Sequence, residues 1–510
     1  MPRYKYYDYN QTVMIPIELE KQIIAGTLEY AIHRLVEERV KIEPFEKKLK
    51  NDETGRPAYN PKVMLKITLL AYSKGIISSR KIEQACKENI VFMALSCQQY
   101  PDHSKIAEFI STMKEEIKLL FRDILLVCEE LKLLGGIPPC GTLDGLKLPS
   151  SASKHWSGTH EELKNKKEKL EKKIAKLISE HQSEDKKEDK KGDKKEEKNE
   201  KRKSEDKEKI QLERLRRKAK KIEKWLKENE PKIGKQGKEV KSNIIDNDSC
   251  KMSTSSGVIQ GYNGQALVDE KHQIIIYSEA FGSGQDYSHV SPMIDGAKEN
   301  TKAIGKTEKY FEGKTFTADA NYHSTENIKK CEEEKIDAYI PDVDFRKRDE
   351  RFEGQKKYKE EKPDRYELDE FNYDERSDSY TCPMGKQLRR QSSKKIKDGY
   401  HQYAVKRKGC IECEKKSKCI KMPKGTRKYL TIAVKKEESI SKRMRDKIDS
   451  KEGRQKYERR LAIVEPVFGN IKAQKRLNRF TLRTKEKVNI QWGLYCTIHN
   501  IEKIANYGSM

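Results

Sequence analysis

The stretch GVIQGYNGQALVDEKHQIIIY, residues 257–277, decides the fold class that the sequence predicts. Two strand-like runs flank a polar turn at Glu270-Lys271, and the second run contains three consecutive isoleucines, Ile274 to Ile276. Runs of this kind joined by a short turn are typical of a β-hairpin, and an unbroken apolar run indicates a strand that is buried on both faces. The stretch therefore predicts a hairpin with one buried strand.

Further strands and helices are indicated on both sides of this hairpin. Strand-like runs occur at 141–148, 314–318 and 338–341, and helical periodicity occurs at 288–303, 324–335, 455–475 and 485–506. Strands that alternate with helices form α/β structures in which the helices cover a sheet. The sequence therefore predicts an α/β fold, a mixed sheet flanked by helices, with two long insertions at 161–240 and 346–451.

Residues 1–136 predict an all-helical N-terminal domain. Apolar residues recur there at helical spacing, Ser78-Ser79 suit a helix N-cap, and Pro101-Asp102 suit the start of a further helix. Helix pairs of this size are found in helix-turn-helix DNA readers and in ordinary packed domains alike. DNA binding, dimerisation and plain packing therefore all remain open as its role.

Residues 161–240 have a different composition. Leucine and isoleucine repeat at heptad-like spacing near both ends, whereas no apolar residue occurs between His181 and Lys209. The segment holds 30 basic and 21 acidic residues. This pattern predicts a coiled-coil arm of two antiparallel helices with a solvated, partly disordered tip. Contact with DNA, contact with a second copy of the chain and a role as a simple spacer all remain open.

The overall charge favours a polyanionic partner, most simply nucleic acid. The formal net charge is +26 and the sequence pI is about 9.3. No apolar run approaches the ~20 residues needed to cross a bilayer, and the first twenty residues lack the apolar core of a signal peptide. Eleven cysteines without a secretion signal indicate reduced thiols or metal ligands. We therefore expect an intracellular protein with no membrane partner.

Three carboxylates are candidate metal ligands. Asp144 falls in or just after the first predicted strand, Asp319 follows the buried strand 314–318, and Glu465 lies in the apolar run 464–468. Two aspartates at adjacent strand ends repel each other unless a cation lies between them, and Mg²⁺ prefers such oxygen ligands. A pair of metal ions about 4 Å apart is suited to phosphoryl transfer. The three acids together therefore predict a two-metal site that acts on phosphodiesters.

Each of these acids also has an ordinary structural interpretation. A single partly buried carboxylate is more often a helix cap or half of an ion pair than a metal ligand. Asp246 and Asp248 are rival acids, for which we favour a loop or cap role. Asn263 and Gln265 are further candidates for DNA contact.

Basic residues follow Glu465 closely. They are interleaved with Leu477 and Phe480 and form a predicted basic face for phosphates: Lys472, Lys475, Arg476 and Arg479. Lys472 is seven residues beyond Glu465 and therefore lies on the same face of a continuous helix. Pro466 predicts that this helix kinks or restarts directly after the glutamate.

Three motifs in this order resemble those of the DDE transposases of bacterial and archaeal insertion sequences. Asp144-Gly145 is similar to the first-acid motif, and 318–323, ADANYH, to the second, with Asn321 where the family has glycine. The C-terminal Tyr-Arg-Glu-Lys signature is matched by Tyr457, Arg460, Glu465 and Lys472. Leu146 departs from the threonine of the first motif, and Arg460 lies one residue farther from Glu465 than in the strict signature. Helices at 60–125 resemble the N-terminal domain of the same family.

The resemblance implies an RNase H-like catalytic domain built from residues 137–160, 241–345 and 452–510. It implies that Asp144, Asp319 and Glu465 hold two Mg²⁺ or Mn²⁺ ions, that Arg460 and Lys472 hold phosphate, and that Tyr457 contacts the DNA backbone. The expected reaction is cleavage at the ends of a DNA element followed by strand transfer, performed by a homodimer in a synaptic complex. The expected location is the cytoplasm of a prokaryote, in association with the nucleoid.

Three other functions remain open beside transposition. A metal-dependent nuclease could use the same fold without strand transfer. An inactive or domesticated DNA-binding protein could retain the fold without chemistry, and a coiled-coil adaptor could use the arm alone.

The insertion at 346–451 contains a second group of candidate metal ligands. It contains four cysteines, with a Cys-x₂-Cys pair and a Cys-Pro-x-Gly turn among them: Cys382, Cys410, Cys413 and Cys419. A Cys-x₂-Cys pair supplies half of a tetrahedral zinc site. We expect a structural Zn²⁺ knuckle here, and reduced thiols without a ligand are the alternative.

Overall fold

The computed structural model describes residues 16–49, 57–135, 140–188, 197–234, 237–352, 355, 366–391, 400–420, 422, 424–433 and 440–508. The chain divides into two compact units. The first contains the described residues within 1–322, 330–339 and 455–510, and the second those within 323–329 and 340–454. Within the described ranges, no helix is long and apolar enough to cross a membrane.

In chain order, the helices of the described residues are α1 (Leu28–Glu38), α2 (Glu43–Glu46), α3 (Pro61–Ser73), α4 (Ser79–Glu88), α5 (Ile90–Leu95), α6 (His103–Thr112), α7 (Glu115–Glu130), α8 (His160–Glu188), α9 (Glu197–Glu228), α10 (Val290–Ala303), α11 (Thr325–Glu333), α12 (Phe345–Arg348), α13 (Lys416–Cys419), α14 (Ile440–Asp449), α15 (Lys451–Gly469) and α16 (Lys485–Tyr507). The strands are β1 (Cys140–Pro149), β2 (Ser157–Gly158), β3 (Ser242–Asn243), β4 (Cys250–Thr254), β5 (Gly257–Asp269), β6 (Ile275–Phe281), β7 (Thr315–Ala318), β8 (Asp337–Tyr339), β9 (Asn372–Asp374), β10 (Ser379–Thr381), β11 (Gln387–Gln391), β12 (Tyr400–Ala404) and β13 (Tyr429–Ala433).

Helices α1, α3, α4 and α6 begin after residue types that suit helix starts. The Thr27 hydroxyl accepts the Tyr30 N–H ahead of α1, and the Asn60 side chain accepts the Lys62 N–H ahead of α3. Ser78 and Asp102 occupy the N-cap positions of α4 and α6, where the sequence predicts helix starts. Side-chain acceptors at this position satisfy N–H groups that lack a partner within the helix. The N-terminal region is therefore helical, as predicted.

The large sheet of the first unit is mixed. Its strand order is β4-β5-β1-β7-β8, and β6 also pairs with β5. β5 is antiparallel to β1, β4 and β6. β7 is parallel to its two neighbours, β1 and β8. Residues 257–277 form the predicted hairpin as β5 and the start of β6. The predicted mixed α/β architecture is compatible with this arrangement.

Helix α16 lies at the centre of the first unit and is buried on most of its sides. Against the sheet, a Cβ at Gly264 would lie 3.0 Å from the Trp492 ring, so only glycine fits this strand position. The Trp492 Nε1–H donates to the Gln265 carbonyl at 3.0 Å. On its other side α16 packs against α1, α3 and α7, and the Tyr72 and Tyr495 ring centroids lie 5.4 Å apart. One helix therefore joins the N-terminal helices to the sheet.

Helix α15 continues through Pro466 to Gly469 and is followed by a π-helical turn, Asn470–Gln474. The predicted restart at Pro466 is therefore absent. Proline cannot donate a hydrogen bond to the carbonyl four residues earlier, which belongs to Ala462. That carbonyl instead accepts the Gln273 Nε2–H at 3.0 Å. The turn of the hairpin thus satisfies the group that proline leaves without a helical partner.

The 161–240 segment contains two long helices, α8 and α9, which pack against each other. Their base holds a small cluster of buried residues: Leu163, Ile222, Trp225 and Ile244. Strands β2 and β3 pair antiparallel where the chain enters and leaves the segment. The central part of the predicted tip, residues 189–196, lies outside the described residues.

The second unit contains a five-stranded antiparallel sheet in the order β13-β12-β11-β10-β9. Every one of its strands is three to five residues long. One small apolar cluster fills its core: Phe371, Cys382, Leu388, Tyr403, Val405, Cys410 and Leu430. The predicted cysteine-containing insertion therefore has a sheet of its own.

Candidate active site

Two aspartates come together where β7 ends beside the middle of the adjacent parallel strand β1. Leu143 pairs with Ala318 in the sheet register, so Asp144 and Asp319 occupy the next positions on the two strands. Neighbouring strands are about 4.8 Å apart. The Asp144 Oδ1 accepts the Gly145 N–H at 2.8 Å, and the Asp319 Oδ1 accepts the Asn321 N–H at 2.8 Å. The sheet register therefore brings two of the three predicted acids together.

Burial disfavours the ionised form of both carboxyls. It raises the pKa of Asp144 above its ordinary value, the Arg460 guanidinium opposes this increase, and the charge of Asp319 adds to it. Burial likewise raises the pKa of Asp319, with opposition from the Asn321 N–H and from Arg460, while the charge of Asp286 adds to the increase. Two like charges are thus held close together in a poorly solvated place.

Arg460 provides the positive charge at this place. It projects from α15, its side chain is 7% exposed, and one guanidinium nitrogen donates to the Asp144 Oδ2 at 2.9 Å. The Tyr457 ring centroid lies 5.9 Å from the guanidinium carbon. The Arg460 Nε is buried and has no hydrogen-bond partner within the described chain. Arg460 therefore lies beside the two aspartates with part of its donor capacity unused.

Glu465 and Lys472 lie on a different side of α15 from Arg460. The buried face of the helix and the turn after it consists of Arg460, Ile463, Val464, Val467 and Ile471. Glu465 is five residues past Arg460, hence about 140° around the helix, and both Glu465 and Lys472 are exposed. Their ligand atoms do not form a cluster: among the described residues, only Glu83, Asp102 and His103 place three potential metal-binding atoms within 4.8 Å of one another.

That cluster serves the start of α6. Glu83 accepts the His103 N–H at 3.0 Å and contacts its ring Nδ1 at 2.9 Å, while Asp102 accepts the Ser104 N–H. Lys87 pairs with Glu83 at 2.6 Å. These contacts explain the cluster as a helix start with its own counter-charge.

A buried polar network lies beside the two aspartates and includes a fourth acid, Asp286. The Asp286 Oδ1 accepts the side-chain amides of Asn263 at 2.5 Å and of Gln265 at 3.1 Å, and its Oδ2 lies 3.2 Å from the Lys147 Nζ. The Tyr322 hydroxyl donates to the Gln265 Oε1. Burial raises the pKa of Tyr322 well above its ordinary value, and the charges of Asp286, Asp144 and Asp319 add to this. The network therefore connects Lys147, which follows Asp144 on β1, to Tyr322 in the turn after Asp319.

Gly145 makes this network possible. A Cβ at this position would lie 2.7 Å from the Asn263 Oδ1 and closer still to the Gln265 Nε2. Any side chain would therefore displace both amides. The sequence analysis considered Asn263 and Gln265 for DNA contact, but both are fully buried. Asp286 was not predicted, because its partners come from two other strands, β5 and β1; the alternating polar residues within the buried stretch of β5 were the signal available.

The remaining predicted basic residues occupy different environments. Lys475 is fully buried, and its Nζ contacts Glu502 and Asn470, so a phosphate cannot reach it in this conformation. Arg476 is exposed and packs its side chain over Gly75. Arg479 is also exposed and donates to the Ser150 carbonyl at 3.0 Å.

The rival acids Asp246 and Asp248 contact the start of α16. Asp246 accepts the Tyr262 hydroxyl at 2.8 Å and the Thr484 N–H at 3.2 Å, and Asp248 accepts the Lys485 N–H at 2.8 Å. These are the cap contacts that the sequence analysis favoured for them.

The four cysteines of the insertion all belong to the second unit and all are free thiols. Cys382 and Cys410 lie in the core of its sheet, and Cys419 packs against that core. Their geometry is treated below.

Two parts of the chain match known protein families. Residues 381–505 match the family described as Transposase DDE domain, and residues 17–112 match the family described as Transposase domain (DUF772). The first match includes Glu465, Lys472 and the four cysteines, whereas Asp144 and Asp319 lie outside both matches. No curated protein sequence matches the chain.

Proposed function

The chain belongs to the DDE-type transposases of insertion sequences, and from this premise we propose that it binds the ends of its own DNA element, cleaves them with the help of divalent metal and transfers the cut strands. One observation carries the proposal. Asp144 and Asp319 follow paired residues on adjacent parallel strands, with Arg460 bonded to the first of them. Two half-buried carboxylates and one cation are a suitable core for chemistry on a phosphodiester.

The residues present fit a divalent cation. Two partly desolvated carboxylates repel each other, and hard oxygen ligands of this kind suit Mg²⁺ or Mn²⁺. Asp144 and Asp319 would hold two such ions together with Glu465, and the bound ions would activate the attacking oxygen and stabilise the leaving one. Glu465 is exposed and lies about 140° around α15 from Arg460, so it would join the two aspartates through a rearrangement on DNA binding.

Arg460 has two tasks in this proposal. Its bond to the Asp144 Oδ2 keeps that carboxylate oriented and favours its ionised form. Its buried Nε, without a partner in the described chain, is a donor available to a phosphate oxygen. Arginine suits this use because its guanidinium donates in several directions and keeps its charge. Tyr457, beside the guanidinium, and the exposed Lys472 would contact the DNA backbone.

We propose that the sheet is RNase H-like and that DNA also contacts the arm. Mixed pairing around β1 supports the first point. For the second, residues 209–227 contain nine lysines and arginines and two glutamates, and all nine basic residues are exposed. Such a surface neutralises phosphates and releases counterions from DNA. Two copies acting on two element ends would form the synaptic complex, in which the arm is available as a coiled-coil contact.

A cleavage assay tests this function. Full-length protein is incubated with Mg²⁺ and duplex DNA taken from the flank of its coding region, and nicks at the element end are mapped on a denaturing gel. We expect cleavage by the wild type, loss of at least 100-fold in Asp144→Asn, Asp319→Asn and Glu465→Gln, and full activity in Asp446→Asn, an exposed acid of the second unit. Cleavage that survives Asp319→Asn contradicts the metal site.

A second readout separates transposition from simple hydrolysis. The cut ends are supplied with a supercoiled plasmid, and joined products are counted by sequencing across the junctions. Joining by the wild type supports strand transfer. Cleavage without joining would assign the chain to the metal-dependent nucleases of the same fold, and DNA binding without either product would assign it to the inactive DNA-binding proteins.

A further inference from the structure

The second unit gathers four thiols from separate segments. Cys382 directly follows β10, Cys410 and Cys413 lie in the turns after β12, and Cys419 is the last residue of α13. All four are free, and Cys382 and Cys410 are buried. The sheet and its loops therefore bring Cys382, Cys410 and Cys419 to the same small core.

The chain around Cys382 forms a tight turn that presents the sulfur. The Gly385 N–H donates to the Cys382 carbonyl at 2.8 Å, and the Cys382 N–H donates to the Lys386 carbonyl at 2.9 Å. Gly385 has φ = +73°, a conformation that favours glycine. The turn directs the Lys386 N–H at the Cys382 Sγ, 3.2 Å away. A backbone N–H donated to sulfur stabilises a thiolate, which is the form that binds metal.

Two lysine side chains bond to backbone carbonyls beside the cysteines. Lys428 donates to the Cys419 carbonyl at 3.0 Å, and Lys386 donates to the Gly409 carbonyl at 2.6 Å. Two lysines therefore lie beside the thiols, where they offset the net negative charge of a metal bound by four thiolates.

The small core of this unit indicates that an additional crosslink stabilises it. Its strands are three to five residues long and its apolar cluster has only five buried members besides the two cysteines. Small sheets with so little buried apolar area usually depend on a disulfide or a structural metal. No disulfide joins the described cysteines.

We propose that Cys382, Cys410, Cys413 and Cys419 bind one structural Zn²⁺. Tetrahedral zinc with Zn–S bonds of about 2.3 Å requires sulfurs about 3.8 Å apart. No three of these sulfurs lie within 4.8 Å of one another in the described structure, so zinc binding draws the thiols together by side-chain rotation. The metal then crosslinks β10, the turns after β12 and α13 around the core. This site is independent of the proposed DNA chemistry.

Metal content of the full-length protein tests the site. Protein purified without chelator is analysed for metals by mass spectrometry, beside the variants Cys413→Ser and Cys419→Ser and the control Cys97→Ser, an exposed cysteine of the first unit. We expect one zinc per chain in the wild type and the control, and loss of at least 80% of it in both cluster variants. Since a cluster variant could lose zinc by misfolding, Co²⁺ is also exchanged into the wild type. Its visible absorption and thiolate charge-transfer band report four-sulfur coordination directly.

Three results would overturn the proposal. They are a wild type without zinc after purification in zinc-supplemented buffer, zinc that both cluster variants retain, and a Co²⁺ spectrum without thiolate bands. Retained zinc that disappears in Glu83→Gln would assign the metal to the cluster at the start of α6. Because none of these readouts involves DNA, an inactive transposase with a full zinc site and an active one without zinc remain distinguishable.

Discussion

Replacing Asp319 by asparagine should make the metal-free protein more stable while it abolishes activity. The substitution keeps the shape of the side chain and an oxygen that accepts the Asn321 N–H, but it removes one of two neighbouring negative charges. Two charges about 6 Å apart repel by about 3 kcal/mol at an effective dielectric constant of 20. Arg460 offsets most of this repulsion, because it neutralises Asp144. We therefore expect a gain of about 1 kcal/mol, which raises Tm by about 2 °C.

The gain depends on pH with a definite sign. The pKa of Asp319 is raised in the folded chain, so between the unfolded value of about 4 and the folded value the native state holds a proton that the unfolded state has released. The stability of the wild type therefore falls as pH rises through this window. The advantage of Asp319→Asn should be absent below pH 4, grow through the window and stay constant above it.

Differential scanning fluorimetry in EDTA from pH 4 to pH 8 measures this difference, with Asp446→Asn as a control that should follow the wild type. Adding Mg²⁺ at about 100 times its Kd should stabilise the wild type by about 2.7 kcal/mol and leave Asp319→Asn unaffected. A variant that is less stable than the wild type in EDTA at neutral pH, or an advantage that persists at pH 4, would refute the reasoning.

Four further substitutions separate structural from functional residues. Lys475→Met should lower the free energy of unfolding by about 3 kcal/mol in a urea titration, because it leaves Glu502 without its buried partner. Lys472→Met should leave the free energy of unfolding unchanged, and it should reduce the salt dependence of DNA binding by about one counterion. Gly145→Ala should destabilise the chain by about 1–3 kcal/mol, since the added methyl displaces two buried amides; an unchanged Tm would contradict the packing described. Asp286→Asn should lower the cleavage rate roughly tenfold, as loss of a supporting carboxylate does at metal sites, and should leave DNA affinity unchanged in a filter-binding assay. If the variant loses cleavage rate and DNA affinity to the same extent, a general folding defect is indicated.

Local sequence patterns were sufficient to predict most of the elements near the site. The hairpin at 257–277, the helix starts at Ser78 and Asp102 and the aspartate after the buried strand 314–318 all follow from periodicity, caps and strand ends. These signals lie within a few residues of the feature they predict. The adjacency of Asp144 and Asp319 was also predicted from two strand-like runs, although β1 continues past Asp144 to Pro149 and only Asp319 follows the end of its strand.

Features that depend on distant partners were not predictable. Lys475 has the spacing of a surface cation, but Glu502 of α16 holds it in the interior. Pro466 should interrupt a helix, yet Gln273 from the hairpin satisfies the carbonyl that proline leaves free. Asp286 had no distinctive neighbours in sequence, because its amide partners lie on β5 and its ammonium partner on β1. In each case the partner is more than twenty residues away or on another element, and one sequence does not indicate which pairs meet.

The short ladder between β2 and β3 has a consequence for the history of the chain. Ser157 pairs with Asn243 and Gly158 with Ser242, so the chain enters the arm and leaves it at one point. Just inside this ladder, His160 is held by Glu239 and by the Asn229 carbonyl, which closes the base of the arm. An element whose two ends meet can lengthen, shorten or be exchanged without moving the strands that carry Asp144. The arm is therefore a place where related elements can acquire different lengths and partners while the proposed reaction centre stays the same.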